Sequence, residues 1–336
     1  MEHLASLEDL LAFESEWWEL WASDPGATPF QSPAWLIPWV RHLWGGGAIR
    51  GLIARRGRAA IGFAPLFLWG FGGDAMRISF LGSGVSDYLD VLAAPEAGEC
   101  ATRELIENLL STDDWDECDL EELRSDSPLL AAARSVSCAV VEPCSVCPAL
   151  ALPARMDELA SCLEPKFRTD IRRAENRLRS LGDLEFVTAA DSATASQLLE
   201  TLIRLHSARW RQREQAGVLN TDGLIEFHRE ASSRFLERGM LRLDGLRLNG
   251  ETIAVQYNFA AKASTYAYLS GFEPAWSKQS PGAVLLKHSI SEAITAGSRC
   301  FDFLRKQEAF KYEWGATDRV NFRLHLTNRR HPEQPA

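Results

Sequence analysis

Ser280, Pro281 and Gly282, with Lys278 two residues upstream, are the residues of this chain whose types and spacing best suit chemistry with an anion. Ser280 fits a helix N-cap, Pro281 the first helical position, where no N–H is needed, and Gly282 lets a ligand approach the backbone closely. Ala283, Val284, Leu286, Lys287, Ile290, Ala293 and Ile294 continue as a mostly apolar stripe at helical spacing, and Gly297 supplies a left-handed stop. Free N–H groups and the positive end of the helix dipole at 280–283 suit a pyrophosphate, with Lys278 adding charge. The same tripeptide opens many ordinary capped helices, so its surroundings decide the reading.

Those surroundings are strands. LRLDGLRL, the Asn249-Gly250 turn and TIAVQYNF read as a hairpin in which Ile253, Val255, Tyr257 and Phe259 alternate with Thr252, Ala254, Gln256 and Asn258. A third strand over 264–269 leads to the loop, and a fourth over 300–304 follows the helix. Three strands, a phosphate loop, a helix and a strand form an order that resembles the core of the acyl-CoA N-acyltransferases (GNAT). Upstream, Asp191 caps a helix carrying Leu198, Leu199, Leu202 and Leu205 that ends near Gly217, and Thr221 or Asp222 opens another that ends at Gly239.

The resemblance extends over residues 165–316. The segments FRTDIRRAENRLRSLG, HSARWRQREQAG, FHREASSRFLERGMLRL, the Ser280-Pro281-Gly282 loop and FDFLRKQEAFKYEWG occur in an order and spacing similar to the GNAT-like family named for a cellulose-biosynthesis acetyltransferase, a relative of the Fem-type peptidoglycan aminoacyltransferases. Two positions depart from that pattern, which has a glycine near Lys306 and a tyrosine at Phe310. The resemblance implies a tandem GNAT-like α/β fold with a mixed central sheet in each half. It also implies an acyl-CoA donor, whose pyrophosphate lies over Lys278, Ser280, Gly282, Ala283 and Val284, and an amine acceptor.

Amide formation of that kind needs a neutral amine, an exit for its proton and donors for an oxyanion. By resemblance the oxyanion donors are backbone amides near Tyr268, Leu269 and Ser270. Asp302 and Tyr268 are the candidates for proton handling and Gln256 for an orienting amide. Lys311 is the candidate to stabilise the oxyanion or grip an acceptor phosphate, or else to pair with Asp302. His206, Arg209 and Trp210, one to two turns apart on a helix expected to cover the acceptor, and Asp87 and Tyr88 of the segment GSGVSDYLD are the acceptor-binding candidates. A lone helical histidine is more often a packing or surface residue.

The first half repeats the element order more weakly, with strands over 49–54, 59–69, 76–81 and 116–120 and a helix over 99–110. No Ser-Pro-Gly precedes that helix, so the half is expected to be degenerate and not to bind the donor. Residues 143–165 hold four prolines and three cysteines. They place the division at 1–145, a linker 146–165, a second domain 166–328 and a tail 329–336.

Charge divides unevenly. Residues 1–165 hold 10 Lys and Arg against 26 Asp and Glu, whereas 166–336 hold 26 against 20. An anionic ligand therefore belongs with the second half, where 166–179 alone carries six cations and two acids. The total of −10 argues against general nucleic-acid binding. Seven cysteines, an odd number, suggest no disulfide framework, and Cys144-x-x-Cys147 lacks partners for a zinc site, so no metal is expected. The run 61–71 is too short to span a bilayer and the N-terminus lacks signal-peptide features, which makes the cytoplasm the expected compartment.

Overall fold

The computed structural model describes residues 1–72, 75–211 and 221–328. The chain divides into two compact units, one of Met1–Val146 with the stretch from Arg319 onward, the other of Cys147–Asp318. Among the described residues the elements run β1 (Glu2–Leu4), α1 (Leu7–Ser23), α2 (Pro33–His42), β2 (Ala48–Arg56), β3 (Ala59–Gly72), β4 (Ala75–Phe80), β5 (Leu92–Ala93), α3 (Gly98–Ser111), β6 (Glu117–Arg124), α4 (Pro128–Ala133) and β7 (Ala139–Ala151). They continue as α5 (Met156–Cys162), α6 (Pro165–Leu181), β8 (Leu184–Thr188), α7 (Ser192–Arg211), α8 (Asp222–Glu237), β9 (Leu241–Leu248), β10 (Glu251–Ala261), β11 (Ser264–Phe272), α9 (Pro281–Thr295), β12 (Cys300–Asp302), α10 (Ala309–Glu313) and β13 (Thr317–Thr327).

In the first unit β1, β2, β3, β4, β6 and β13 lie side by side, antiparallel except for the β4–β6 pair that α3 connects. Alternation along the strands buries Ile78, Phe80, Leu120, Leu123, Leu324 and Leu326 against Leu105, Ile106 and Leu109 of α3. Ser6 and Asp9 close a capping box at the start of α1, whose Trp17 is fully buried.

In the second unit the order is β7, β12, β11, β10, β9, β8, antiparallel except for β11–β12. α9 is the crossover between those two parallel strands. The β9–β10 hairpin turns at Asn249 (φ 52°) and Gly250 (φ 83°), both left-handed as a two-residue turn of this kind requires. Leu246 and Leu248 of β9 pack with Val284 and Leu285 of α9 and with Ala174 and Leu178 of α6. A Cβ on Gly245, which points the other way, would come within 2.6 Å of Leu198 in α7. Both caps expected upstream are present: Asp191 accepts from the Thr194 amide at 2.9 Å, and Thr221 from the Leu224 amide at 3.4 Å.

The proline-rich stretch carries regular structure, Ala139–Ala151 being strand and Met156–Cys162 helix. Pro148 needs no N–H there, since it is its carbonyl that accepts from the Phe303 amide, at 2.9 Å. No described helix is long and apolar enough to cross a membrane.

Candidate active site

The site begins where two parallel strands part. β11 and β12 pair only from Ser264 to Tyr266 against Cys300 to Asp302. β11 then runs on to Phe272 while β12 stops, so one edge of 267–272 has no strand partner within its unit among the described residues. On its other edge β11 bulges: Tyr257 faces Leu269 and Asn258 faces Ala267, leaving Tyr268 as the extra residue. A bulge adds twist and re-aims a side chain, which carries this part of β11 away from β12. Leu269 is half-buried there and Ser270 exposed.

Beyond β12 the chain turns sharply. The buried Asp302 accepts from the Leu304 amide at 2.9 Å, and Leu304 (φ 57°) and Lys306 (φ 82°) are both left-handed. Lys311 of α10 holds this loop from within. Its Nζ donates towards the carbonyls of Phe303, Leu304, Arg305 and Lys306 at 3.0, 3.2, 2.8 and 2.7 Å, with Glu308 at 3.4 Å. An ammonium has three N–H groups. Four carbonyls therefore saturate it, and the buried Lys311 organises the loop in this geometry rather than presenting a free charge. At Lys306 the left-handed backbone is one that favours glycine. Lys306→Gly is accordingly expected to stabilise the protein by about 1 kcal/mol, read as a raised denaturant midpoint; a lowered midpoint would mean that the Lys306 side chain itself contributes.

The phosphate loop differs from its sequence reading in one respect. Pro281 is the first residue of α9, but Ser280 is left-handed (φ 54°) and its side chain makes no cap hydrogen bond. Its carbonyl instead receives the Ala283 and Val284 amides at 3.1 and 3.3 Å, so the Gly282 amide is the one that neither contact uses. A Cβ on Gly282 would meet only the Phe272 ring, at 3.4 Å. Space rather than backbone conformation is what this glycine provides. Lys278 is exposed, and its carbonyl accepts from Nη1 of Arg177 in α6 at 2.9 Å.

Tyr268 stands in a ring cluster with His228, Tyr257 and Phe259 at centroid distances of 5.5, 6.0 and 5.5 Å. Burial, reinforced by His206, holds the His228 imidazole down at about 3, so it is neutral, and burial pushes the Tyr257 phenol up. The sequence reading passed over His228, although it lies one turn beyond Leu224 on a helix with a recognisable cap. His206 is buried on α7 where that helix crosses Gly271. Arg209 and Trp210 are on the same helix, and their side chains lie outside the described residues.

Gln256 is not brought to Tyr268. It is buried, donates to Asn258 at 2.8 Å, and lies on the opposite face of β10 from Tyr257, in register with Asp244. Asp244 accepts from Ser289 of α9 at 2.7 Å, which fixes that face as the α9 side.

In the first unit Tyr88 is buried beside Phe30, with 6.4 Å between ring centroids, and the Asp87 carbonyl accepts from Asn321 at 3.0 Å. Burial pushes the neighbouring Asp90 carboxyl up to about 7, against the pull of Ser127, the Val91 amide and Arg124. Tyr88 thus packs in the core of the first unit. α3 starts after Ala97, with no side-chain cap and no proline in its first turn, unlike α9.

Residues 165–312 match the family model described as an acetyltransferase (GNAT) domain. Among solved structures, FemX aligns with a TM-score of 0.68 and 12% identity over 98% of each chain. A conserved protein of unknown function from Bacteroides thetaiotaomicron gives 0.62 and 11% over 96% of this chain and 97% of that one. L-PGS from Bacillus licheniformis gives 0.57 and 12% over 89% and 93%. At these identities the likeness is one of fold, and the fold is tandem and GNAT-like, with a mixed sheet in each half. No curated protein matches the chain in sequence.

Proposed function

We propose that the chain is an N-acyltransferase that moves an acyl group from acyl-CoA to the amine of a peptide, an amino sugar or another small molecule. The observation that carries this reading is the parting of β11 from β12 after Tyr266 and Asp302, next along the chain to the amino end of α9. An open strand edge fits an extended pantetheine arm, and a helix start with an unused Gly282 amide fits its pyrophosphate. Acyl-CoA supplies an activated carbonyl, and the residues of the chain bind and orient it. Lys278, Ser280 and the Gly282 amide hold the phosphates, the Ala283 and Val284 amides already serving the Ser280 carbonyl, and the Leu269 and Ser270 amides are the donors for the oxyanion. The C–N bond forms as the C–S bond breaks, and the amine's proton passes by way of Tyr268 or Asp302 to the departing thiolate. His206, Arg209 and Trp210 of α7 are the acceptor side, and the sequence resemblance to the family named for a cellulose-biosynthesis acetyltransferase favours an acceptor from cell-surface polysaccharide or peptide synthesis.

The test is a thermal-shift titration with CoA and acyl-CoAs from acetyl to palmitoyl, beside Gly282→Glu. At 100 times the dissociation constant, binding adds about 2.7 kcal/mol, a rise of roughly 5–10 °C for a unit of this size. The rise is expected to vanish in the variant, whose carboxylate repels the phosphates while its Cβ meets only Phe272. Absence of a rise with every one of these ligands would overturn the reading. A Fem-type transfer from aminoacyl-tRNA is the second reading, favoured by the fold of FemX and by the basic α6. Loss of activity on ribonuclease treatment would decide for it.

A further inference from the structure

One cation, Arg177, reaches the loop that precedes α9, and Lys278 belongs to that loop. Arg177 reaches the Lys278 carbonyl at 2.9 Å, and Arg173 stands one turn before Arg177 on the same side of α6. Both partners of that contact are on anchored elements. Ala174 and Leu178 of α6 share one apolar cluster with Val284, Leu285 and Trp276, and Glu175 pairs with Lys287 of α9 at 2.8 Å. Helical spacing sorts the cations of α6 into two stripes flanking the buried line Ile171, Ala174 and Leu178. That spacing puts Arg168, Arg172 and Arg179 on the far side, and Arg173 in the stripe whose member Arg177 reaches the loop. Arg177 makes no ion pair among the described residues, and the nearest acid to Arg173, Asp170, is exposed and 3.7 Å away.

We infer that Arg173, Arg177 and Lys278 form a second anion subsite that takes a terminal phosphate monoester of the donor, the 3′-phosphate of CoA. This rests on the acyl-CoA reading above. A phosphate monoester carries close to two negative charges at neutral pH, and guanidinium groups match its oxygens with paired hydrogen bonds. Such a concentration of cations in a chain of net charge −10 suits one compact dianion. A nucleic-acid backbone, with one charge per phosphate, needs cations spread along its length. The subsite is exposed, so its contribution falls as salt rises.

The experiment compares dissociation constants of CoA and 3′-dephospho-CoA for the wild-type protein, Arg173→Gln, Arg177→Gln and, on the far stripe, Arg168→Gln. The wild type is expected to bind CoA about tenfold more tightly than dephospho-CoA at low salt, which corresponds to about 1.4 kcal/mol. Arg173→Gln and Arg177→Gln should bring CoA down to the affinity of dephospho-CoA and leave dephospho-CoA unchanged, while Arg168→Gln changes neither. Arg173→Gln is the cleaner variant because Arg173 makes no contact with the Lys278 carbonyl. Equal wild-type affinity for the two nucleotides, or equal losses for both in the variants, would overturn the subsite. Binding of neither nucleotide would overturn the acyl-CoA reading and the subsite with it. Unfractionated tRNA bound more tightly than CoA and released by the same two substitutions would also overturn it, assigning the stripe to a nucleic-acid backbone.

Discussion

Lys311→Met is expected to lower the stability of the second unit by about 3 kcal/mol, because it removes the one group that satisfies four convergent carbonyls. For a unit of this size that is a fall in the unfolding midpoint of roughly 6–12 °C. The loop it releases contains two left-handed non-glycine residues, Leu304 and Lys306, whose conformation costs about 1–2 kcal/mol each and persists only while something holds it. Because that loop follows directly on Asp302, turnover should fall at least tenfold even at temperatures where the variant is folded. Lys311→Arg should recover only part of either loss, since a planar fork cannot point at four oxygens around one centre. The measurement is a thermal melt paired with steady-state kinetics. A Met variant that melts like wild type yet loses turnover would show that the ammonium acts on the reacting atoms, and the positioning role would be wrong.

Acid should weaken the second unit through His228. Its imidazole is fully buried among Phe227, Tyr257 and Tyr268, and its folded value of about 3 lies below the ordinary 6.5. The unfolded chain therefore binds this proton more readily than the folded one. The stability from keeping the ring neutral is complete above about pH 6.5 and is lost as pH falls towards 3, at about 1.4 kcal/mol per pH unit. The tyrosines around it do not change charge in acid. Denaturant midpoints of wild type and His228→Phe should nearly coincide at pH 8 and separate steadily below pH 6.5, the variant holding up better. Parallel curves across that range would mean that His228 takes no part in acid unfolding.

Local signals in the sequence carried over well. Asp191, Thr221, the Asn249-Gly250 turn and Pro281 each act within a few residues of themselves, and each sits where its chemistry requires. The left-handed Ser280 was hidden because a serine before a proline reads as a cap whether or not its hydroxyl is used. The ammonium cage of Lys311 was hidden for another reason: its acceptors are backbone carbonyls, and these leave no mark in residue identity. What the sequence did mark was the backbone they belong to, through the glycine missing near Lys306. Gln256 alternated correctly along its strand, but alternation alone does not say which face lies against α9, and the Asp244–Ser289 contact that decides it spans 45 positions.

β13 pairs with β6, so a strand that follows the whole second unit in sequence closes the sheet of the unit built from residues 1–146. On a ribosome, which delivers the N-terminus first, the second unit can gather all of its strands before the first can. Until residues 321–327 emerge, β6 keeps an open edge, with Leu120 and Leu123 short of their partners Leu324 and Phe322. The unit holding residues 1–146 is thus completed after the unit that follows it in the sequence, and its waiting edge is where a chaperone would be needed most.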